Sequence, residues 1–174
     1  MVWVFGFGSL TFDGWQSKFG CLGHQRATLF EYRRAFNKKS VRNWGTKANP
    51  GITLNLEQVD GAMCEGVAFE FPDDARGTLL DALRQREACD PTTLQIQLAD
   101  GRPVEALVYI YDGENLIDPD VGILERVRLV RKARGTSGSA VDYVRRNFEG
   151  LQAAGLQDQA VTDLWKAVQS LVKE

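Results

Sequence analysis

Glu87 is the side chain in this sequence whose position most needs a chemical account. Residues Asp73–Cys89 carry the pattern of an amphipathic helix, with Leu79, Leu80 and Leu83 marking an apolar stripe. Glu87 follows Leu83 by four residues and Leu79 by eight, so at ~3.6 residues per turn it falls inside that stripe. A carboxylate facing a core is costly unless it is paired, hydrogen-bonded or protonated. It also lies in the last turn, where the helix dipole disfavours negative charge. Both effects raise its affinity for a proton, which suits a shuttle working near neutral pH. Periodicity alone leaves two other readings open. Glu87 is satisfied by Arg84 or Arg86, or the helix ends one turn early.

Other reactive groups are sparse. Cys21, Cys64 and Cys89 show no metal-ligand spacing, and His24 is the single histidine, so a zinc site is not expected. Cys21 and His24 are near neighbours but lack a third orienting group, and a Cys–His nucleophile is not expected. Gly6-Phe7-Gly8-Ser9-Leu10 follows an apolar strand and can turn backbone N–H groups towards an anion. It has neither the Gly-Lys-Ser of a phosphate loop nor the third glycine of a dinucleotide fingerprint. A plain turn built on left-handed glycines is the alternative. Arg26–Lys47 interleaves seven basic residues with Phe30, Tyr32, Phe36 and Trp44, a pattern that can hold single-stranded nucleic acid. A strand with one solvated basic face explains it equally, and the net charge of −2 implies no general pull towards polyanions.

The elements that must position these groups read as follows. Val2–Phe5, Thr28–Phe36, Ile52–Leu56, Cys64–Phe71, Leu94–Leu98 and Val104–Tyr111 read as strands, the last two joined into a hairpin by Asp100-Gly101. Gly66 marks a bulge or a close backbone approach. Asp73 or Asp74 is the expected cap of the helix that ends near Glu87. Asn115–Gly122 reads as a mobile loop. Ser139 and Asp142 resemble a capping box, opening a helix with Val141, Val144, Phe148 and Leu151 on one face and Gly155 as its stop. Asp158 caps a last helix whose stripe runs Val161, Leu164, Trp165, Val168, Leu171 and Val172, a face expected in the core. Strands first and helices last predict an α+β fold: one domain over 1–174, a curved mixed sheet or small β-barrel with packed helices and a C-terminal helical pair. With 174 residues, 44% hydrophobic and 25% charged, the composition is globular. No signal peptide or membrane span is read, and the odd thiol count fits a cytoplasmic protein.

Several segments together resemble the ChaC-type γ-glutamylcyclotransferases. Val4–Leu10 is similar to the family's V-F-G-Y-G-S-L signature, Gly45-Thr46 with Pro50-Gly51 to its G-T…P-G turn, and Gly66–Phe69 to its G-V-A-[YF] strand. Arg86-Glu87 stands at its R-E pair, whose glutamate is the catalytic acid/base. Ala133–Gly138 with Asp142-Tyr143 resembles its A-x-G-x-S-G…[ED]-Y stretch. The resemblance implies the γ-glutamylcyclotransferase-like fold and cyclisation of a γ-glutamyl compound to 5-oxoproline, for glutathione with release of Cys-Gly. It makes Glu87 the catalytic residue, with the substrate held by Gly6, Phe7, Gly8, Ser9 and Leu10 and oriented by Tyr143. No metal or organic cofactor is expected, and the expected partner is the small-molecule substrate, with no nucleic acid and no membrane. The chain departs from the pattern at Phe7, where tyrosine is usual, at Ala88-Cys89-Asp90-Pro91, and at Ile52. Those departures keep open another γ-glutamyl amine or amino acid as substrate, or a non-catalytic small-molecule-binding member of the fold.

Overall fold

The computed structural model describes residues 1–170. Five strands close a barrel in the order β1-β3-β2-β4-β5. They are β1 (Val2–Gly6), β2 (Gly23–Ser40), β3 (Gly51–Phe71), β4 (Thr92–Leu98) and β5 (Pro103–Val108). The sheet is mixed: β1 lies antiparallel to β3 and parallel to β5. The expected hairpin forms, with Thr92 opposite Val108 and Gln97 opposite Pro103, and Gly101 takes the positive φ of its turn. The chain divides into two compact units, Met1–Arg33 with Leu56–Asp112, and Arg34–Asn55 with Gly113–Glu174.

In the first unit, β1 is buried along its whole length and Gly6 pairs with Val67 of β3. Gly66 is the predicted close approach: a Cβ there would lie 2.4 Å from the Gly6 carbonyl oxygen. Helix α1 (Arg76–Glu87) buries Leu79 and Leu83. It is shorter than the predicted Asp73–Cys89. A 3-10 turn, Asp73–Ala75, leads into it after extended Pro72, whose carbonyl accepts from the Ala75 N–H. Neither Asp73 nor Asp74 caps through its side chain, and the Asp73 carboxylate pairs instead with the Met1 amino group at 2.5 Å. β5 ends at Val108, so Tyr109–Tyr111 lies beyond the strand.

β2 and β3 are longer than predicted, and 52–56 and 64–71 belong to one strand. Glu31 at φ 64 and Gly61 at φ 74 interrupt the regular backbone, and the Gly61 N–H donates to the Glu31 carboxylate at 2.7 Å. That irregularity breaks the alternation on which a sequence reading relies.

In the second unit, α2 (Ile123–Lys132), α3 (Ala140–Ala153) and α4 (Gln159–Ser170) pack on one another, and a two-residue ladder joins β6 (Arg134–Gly135) to β7 (Gly138–Ser139). The sequence reading assigns no element to 123–132, although Val127 and Val130 supply its buried face. The predicted caps hold. Ser139 Oγ accepts from the Asp142 N–H at 3.0 Å, and Asp158 Oδ1 from the Val161 N–H at 3.1 Å. Gly155, at φ 67, follows the end of α3, and the Leu156 N–H closes on the Leu151 carbonyl. Asn115–Gly122 is anchored rather than loose: the Asn115 carbonyl accepts from Lys39 N–H, and Ile117 N–H donates to the Asn37 carbonyl, both at 2.7 Å. Val161, Leu164 and Val168 of the last stripe are buried, while Leu171 and Val172 lie outside the described residues. No described helix is long and apolar enough to cross a membrane.

Candidate active site

Glu87 is the last residue of α1, in line with buried Leu79 and Leu83, and its side chain is 24% exposed. It is therefore half-buried rather than core-facing. Arg86 Nε donates to Glu87 Oε1 at 3.0 Å. The sequence left pairing with an arginine as an alternative to a proton-seeking carboxyl. The structure has the pair, and the guanidinium works against both effects that disfavour negative charge at this place.

The same guanidinium reaches further. Arg86 Nη2 donates to Ser9 Oγ at 2.9 Å and to Asp13 Oδ2 at 2.5 Å. One side chain thus ties the end of α1 to the glycine loop 77 residues earlier. That loop is stiff. Ser9–Thr11 forms a 3-10 turn after Gly8, and the Thr11 N–H and hydroxyl both donate to the Gly8 carbonyl, at 2.9 and 2.7 Å. Trp15 Nε1 holds the Leu10 carbonyl at 2.8 Å, and its indole packs against Phe69 and Phe71. Gly6 and Gly8 do not adopt positive φ, so the loop is not the left-handed glycine turn weighed from sequence. A Cβ on Gly6 would stand 3.1 Å from Leu10 Cβ, so close packing explains that glycine. The N–H groups of Gly8, Ser9 and Leu10 have no acceptor among the described residues, as the start of a helical turn leaves them. Phe7 is buried at 7% exposure.

After Glu87 the chain reverses at Ala88, an alanine in left-handed conformation (φ 59, ψ 30). Arg84 pairs with Asp90 at 2.5 Å across the turn. Tyr109, which the sequence placed in an apolar strand, belongs beside this turn. It is 3% exposed, and its hydroxyl is buried with no hydrogen-bond partner among the described residues. Burial pushes the phenol up to about 12; the Arg84 charge opposes this, while Glu87, Cys89 and Asp90 add to it. An orphaned buried hydroxyl is visible only once the side chains are in place.

Tyr143 lies in the second unit, on α3. It is 4% exposed, accepts a hydrogen bond from the Leu54 N–H at 3.1 Å, and packs against Trp44 with ring centroids 5.1 Å apart and planes tilted by 50°. The other motif segments of that unit meet through backbone. A Cβ on Gly45 would lie 2.1 Å from Gly51 N, one on Gly51 2.3 Å from the Trp44 carbonyl, and one on Gly135 2.3 Å from the Arg42 carbonyl. The Thr136 and Ser137 N–H groups donate to Arg42 and Asn43 carbonyls at 2.9 and 2.8 Å.

The remaining sequence candidates are placed elsewhere. Cys21 Sγ donates to the Gly23 carbonyl, and the His24 ring packs on Phe69. In the basic stretch, Arg33 pairs with Glu57, Arg34 is buried against Asp158, and Phe36 is core. Among the described residues no three His, Cys, Asp or Glu side chains gather as a metal site.

The family model of the ChaC-like proteins matches residues 2–171. The chain belongs to the ChaC-like family. It is 31% identical to the glutathione-specific γ-glutamylcyclotransferase of Escherichia coli K12, over 99% of this chain and 75% of that one. It is 29% identical to γ-glutamylcyclotransferase 2-3 of Arabidopsis thaliana, over 99% and 91%. In fold it matches the crystal structure of the yeast γ-glutamylcyclotransferase specific to glutathione with a TM-score of 0.84 at 20% identity, covering 97% and 96% of the two chains. YkqA of Bacillus subtilis matches with a TM-score of 0.57 at 19% identity, over 97% of this ChaC-like chain and 54% of YkqA. The curated members of the family that it resembles are γ-glutamylcyclotransferase enzymes, and this ChaC-like chain is an enzyme of that kind.

Proposed function

We propose that the enzyme cyclises glutathione to 5-oxoproline and Cys-Gly, with Glu87 as acid/base and the Gly6–Leu10 loop as the cradle of the glutamyl end. The observation that carries this is Arg86, which orients the Glu87 carboxylate and grips Ser9 of the loop at the same time. Relatives named for glutathione support the substrate.

The substrate carries its own nucleophile. Its α-amine attacks its γ-carbonyl, a C–N bond closes a five-membered ring, and the original amide C–N bond breaks. Glu87 takes a proton from the α-ammonium to free the amine and passes on the second proton that this nitrogen sheds as the ring closes; both end on the departing nitrogen, which leaves as an ammonium, and no enzyme nucleophile is consumed. Proton transfer by a placed carboxyl is worth ~10²–10⁴-fold. Holding the flexible glutamyl chain in its cyclising geometry is worth up to ~7–11 kcal/mol. The stiff 3-10 turn serves that end: the N–H groups of Gly8, Ser9 and Leu10 receive the α-carboxylate, and Phe7 closes the loop from the buried side. Buried Phe7 and the rebuilt 88–91 turn favour a second substrate reading, a different γ-glutamyl amine or amino acid released by the same chemistry.

Incubation of the protein with a panel of γ-glutamyl compounds, with chromatography for 5-oxoproline, tests the substrate. Glu87→Gln tests the mechanism. Turnover falls at least ~10²-fold, the low end for acid–base catalysis. The melt barely moves, because the Arg86–Glu87 pair is partly exposed and such pairs are worth ~0–1 kcal/mol. A lowered melt with retained turnover sinks the catalytic role.

A further inference from the structure

We propose that Tyr109 is a positioning residue of this site: its hydroxyl, buried beside the last turn of α1, donates to the Glu87 carboxylate when substrate draws that carboxylate away from Arg86. The proposal rests on Glu87 being the acid/base.

Tyr109 directly follows β5, and Val108 pairs with Thr92, the first residue of β4. The four residues before Thr92 are the turn leaving Glu87, so register alone brings Tyr109 to the end of α1. A buried hydroxyl without a partner is unfavourable, and phenylalanine would fill the same space without that penalty. The hydroxyl therefore calls for a partner that it lacks in this resting arrangement. The groups that act on it narrow the choice. Arg84 is a donor already bonded to Asp90, and Asp90 is largely exposed whereas the hydroxyl is not. The Cys89 thiol is a weak acceptor. Glu87 is half-buried and is a strong acceptor, held at present by Arg86, which also engages Ser9 and Asp13. The incoming α-ammonium is a second cation for that carboxylate, and leaving Arg86 frees one oxygen towards the interior. Burial keeps the phenol protonated through the working range, so it serves as a neutral donor throughout. A neutral donor stabilises the carboxylate over the acid and keeps the base in the form that accepts the ammonium proton.

Tyr109→Phe is the test. We expect kcat to fall about 10-fold with KM within about twofold, the scale of one hydrogen bond to a charged group. The acid limb of the kcat profile moves to higher pH, and the melt is not lowered, since the hydroxyl has no partner to lose. In a Glu87→Gln background the same change has no further effect. A carboxyl ¹³C titration of Glu87, assigned with Glu87→Gln and run with saturating L-glutamate to supply the α-ammonium and α-carboxylate, reads the contact without turnover, and its midpoint rises in Tyr109→Phe. An unchanged titration and kcat profile overturn the proposal, as does a lowered melt with normal turnover per folded molecule. If wild-type protein forms no 5-oxoproline from any γ-glutamyl compound, the proposed activity fails, and the titration still decides the link between Tyr109 and Glu87.

Discussion

Around Glu87 the motif residues of the first unit are charged, partly exposed and joined by side chains: Arg86 to Glu87, Ser9 and Asp13, Arg84 to Asp90. Around Tyr143 the motif residues of the second unit are glycines and aromatics joined through backbone, with Gly45, Gly51 and Gly135 each at a spot where a Cβ would strike a main-chain atom. Both regions carry family signature residues, for different physical reasons. Glycines that admit a backbone are required by packing, whereas half-buried ions held by one guanidinium are unfavourable for packing and need another purpose. On the function proposed above, the first region does the chemistry and the second supplies architecture.

The largest expected effect tests the architectural side. The Arg34 side chain is 1% exposed and pairs with Asp158, which also caps α4. Asp158→Ala removes both the counter-charge and the cap, and stability falls by about 3–5 kcal/mol. Denaturant unfolding measures the loss, and turnover per folded molecule stays near wild type. A fall in turnover at unchanged stability would break the contrast.

Tyr143→Phe comes next and tests the contrast at its weakest point. Family resemblance gives Tyr143 a role with substrate, but its hydroxyl accepts from the Leu54 N–H. Removing the acceptor leaves a buried N–H unsatisfied, for about 1–3 kcal/mol of stability. Paired melts and kcat measurements separate the roles. A lower melt with normal kcat leaves Tyr143 architectural, and a normal melt with reduced kcat returns it to the reaction.

The same division explains what could be read from the sequence. The row Leu79–Leu83–Glu87, the Ser139 and Asp158 caps and the β4–β5 hairpin are local patterns, and the structure contains all of them. In sequence β3 reads as two strands, because its irregular backbone at Gly61 breaks local alternation. Helix α2 gives little sequence signal although Val127 and Val130 are spaced for it, because Glu125, Arg126, Arg128, Arg131 and Lys132 surround the two valines. At the site, Glu87 stood out as a misplaced charge. Arg86's grip on Ser9 and Asp13 spans 77 and 73 residues, and no periodicity reports a contact of that range. In sequence Tyr109 is one residue of an apolar run, because an orphaned hydroxyl is a property of its surroundings.

A smaller effect sharpens the first region. Ala88 ends α1 in a left-handed conformation that costs a non-glycine residue roughly 1–2 kcal/mol. Ala88→Gly relieves most of this, offset in part by the added freedom of the unfolded chain. The melt rises by a few degrees, corresponding to about 1 kcal/mol or less. Turnover follows only if the turn that places Glu87 depends on that strain.

Phe7→Tyr has an expected change whose sign is the result, and it asks which substrate the loop is shaped for. The family signature that Val4–Leu10 resembles has tyrosine there, and its hydroxyl adds one hydrogen bond if substrate supplies the partner. That bond is worth ~0.5–1.5 kcal/mol, so kcat/KM for glutathione rises roughly 2- to 12-fold. Phe7 is buried, however, at 7% exposure. Without a partner the new hydroxyl is a buried orphan, and the sign reverses: the melt drops by the equivalent of ~1–3 kcal/mol and glutathione is used no better. A gain in kcat/KM with an intact melt makes the loop a glutathione cradle lacking one contact. A loss in both makes it a cradle rebuilt around phenylalanine, and the substrate is then to be sought among γ-glutamyl compounds with a different leaving amine.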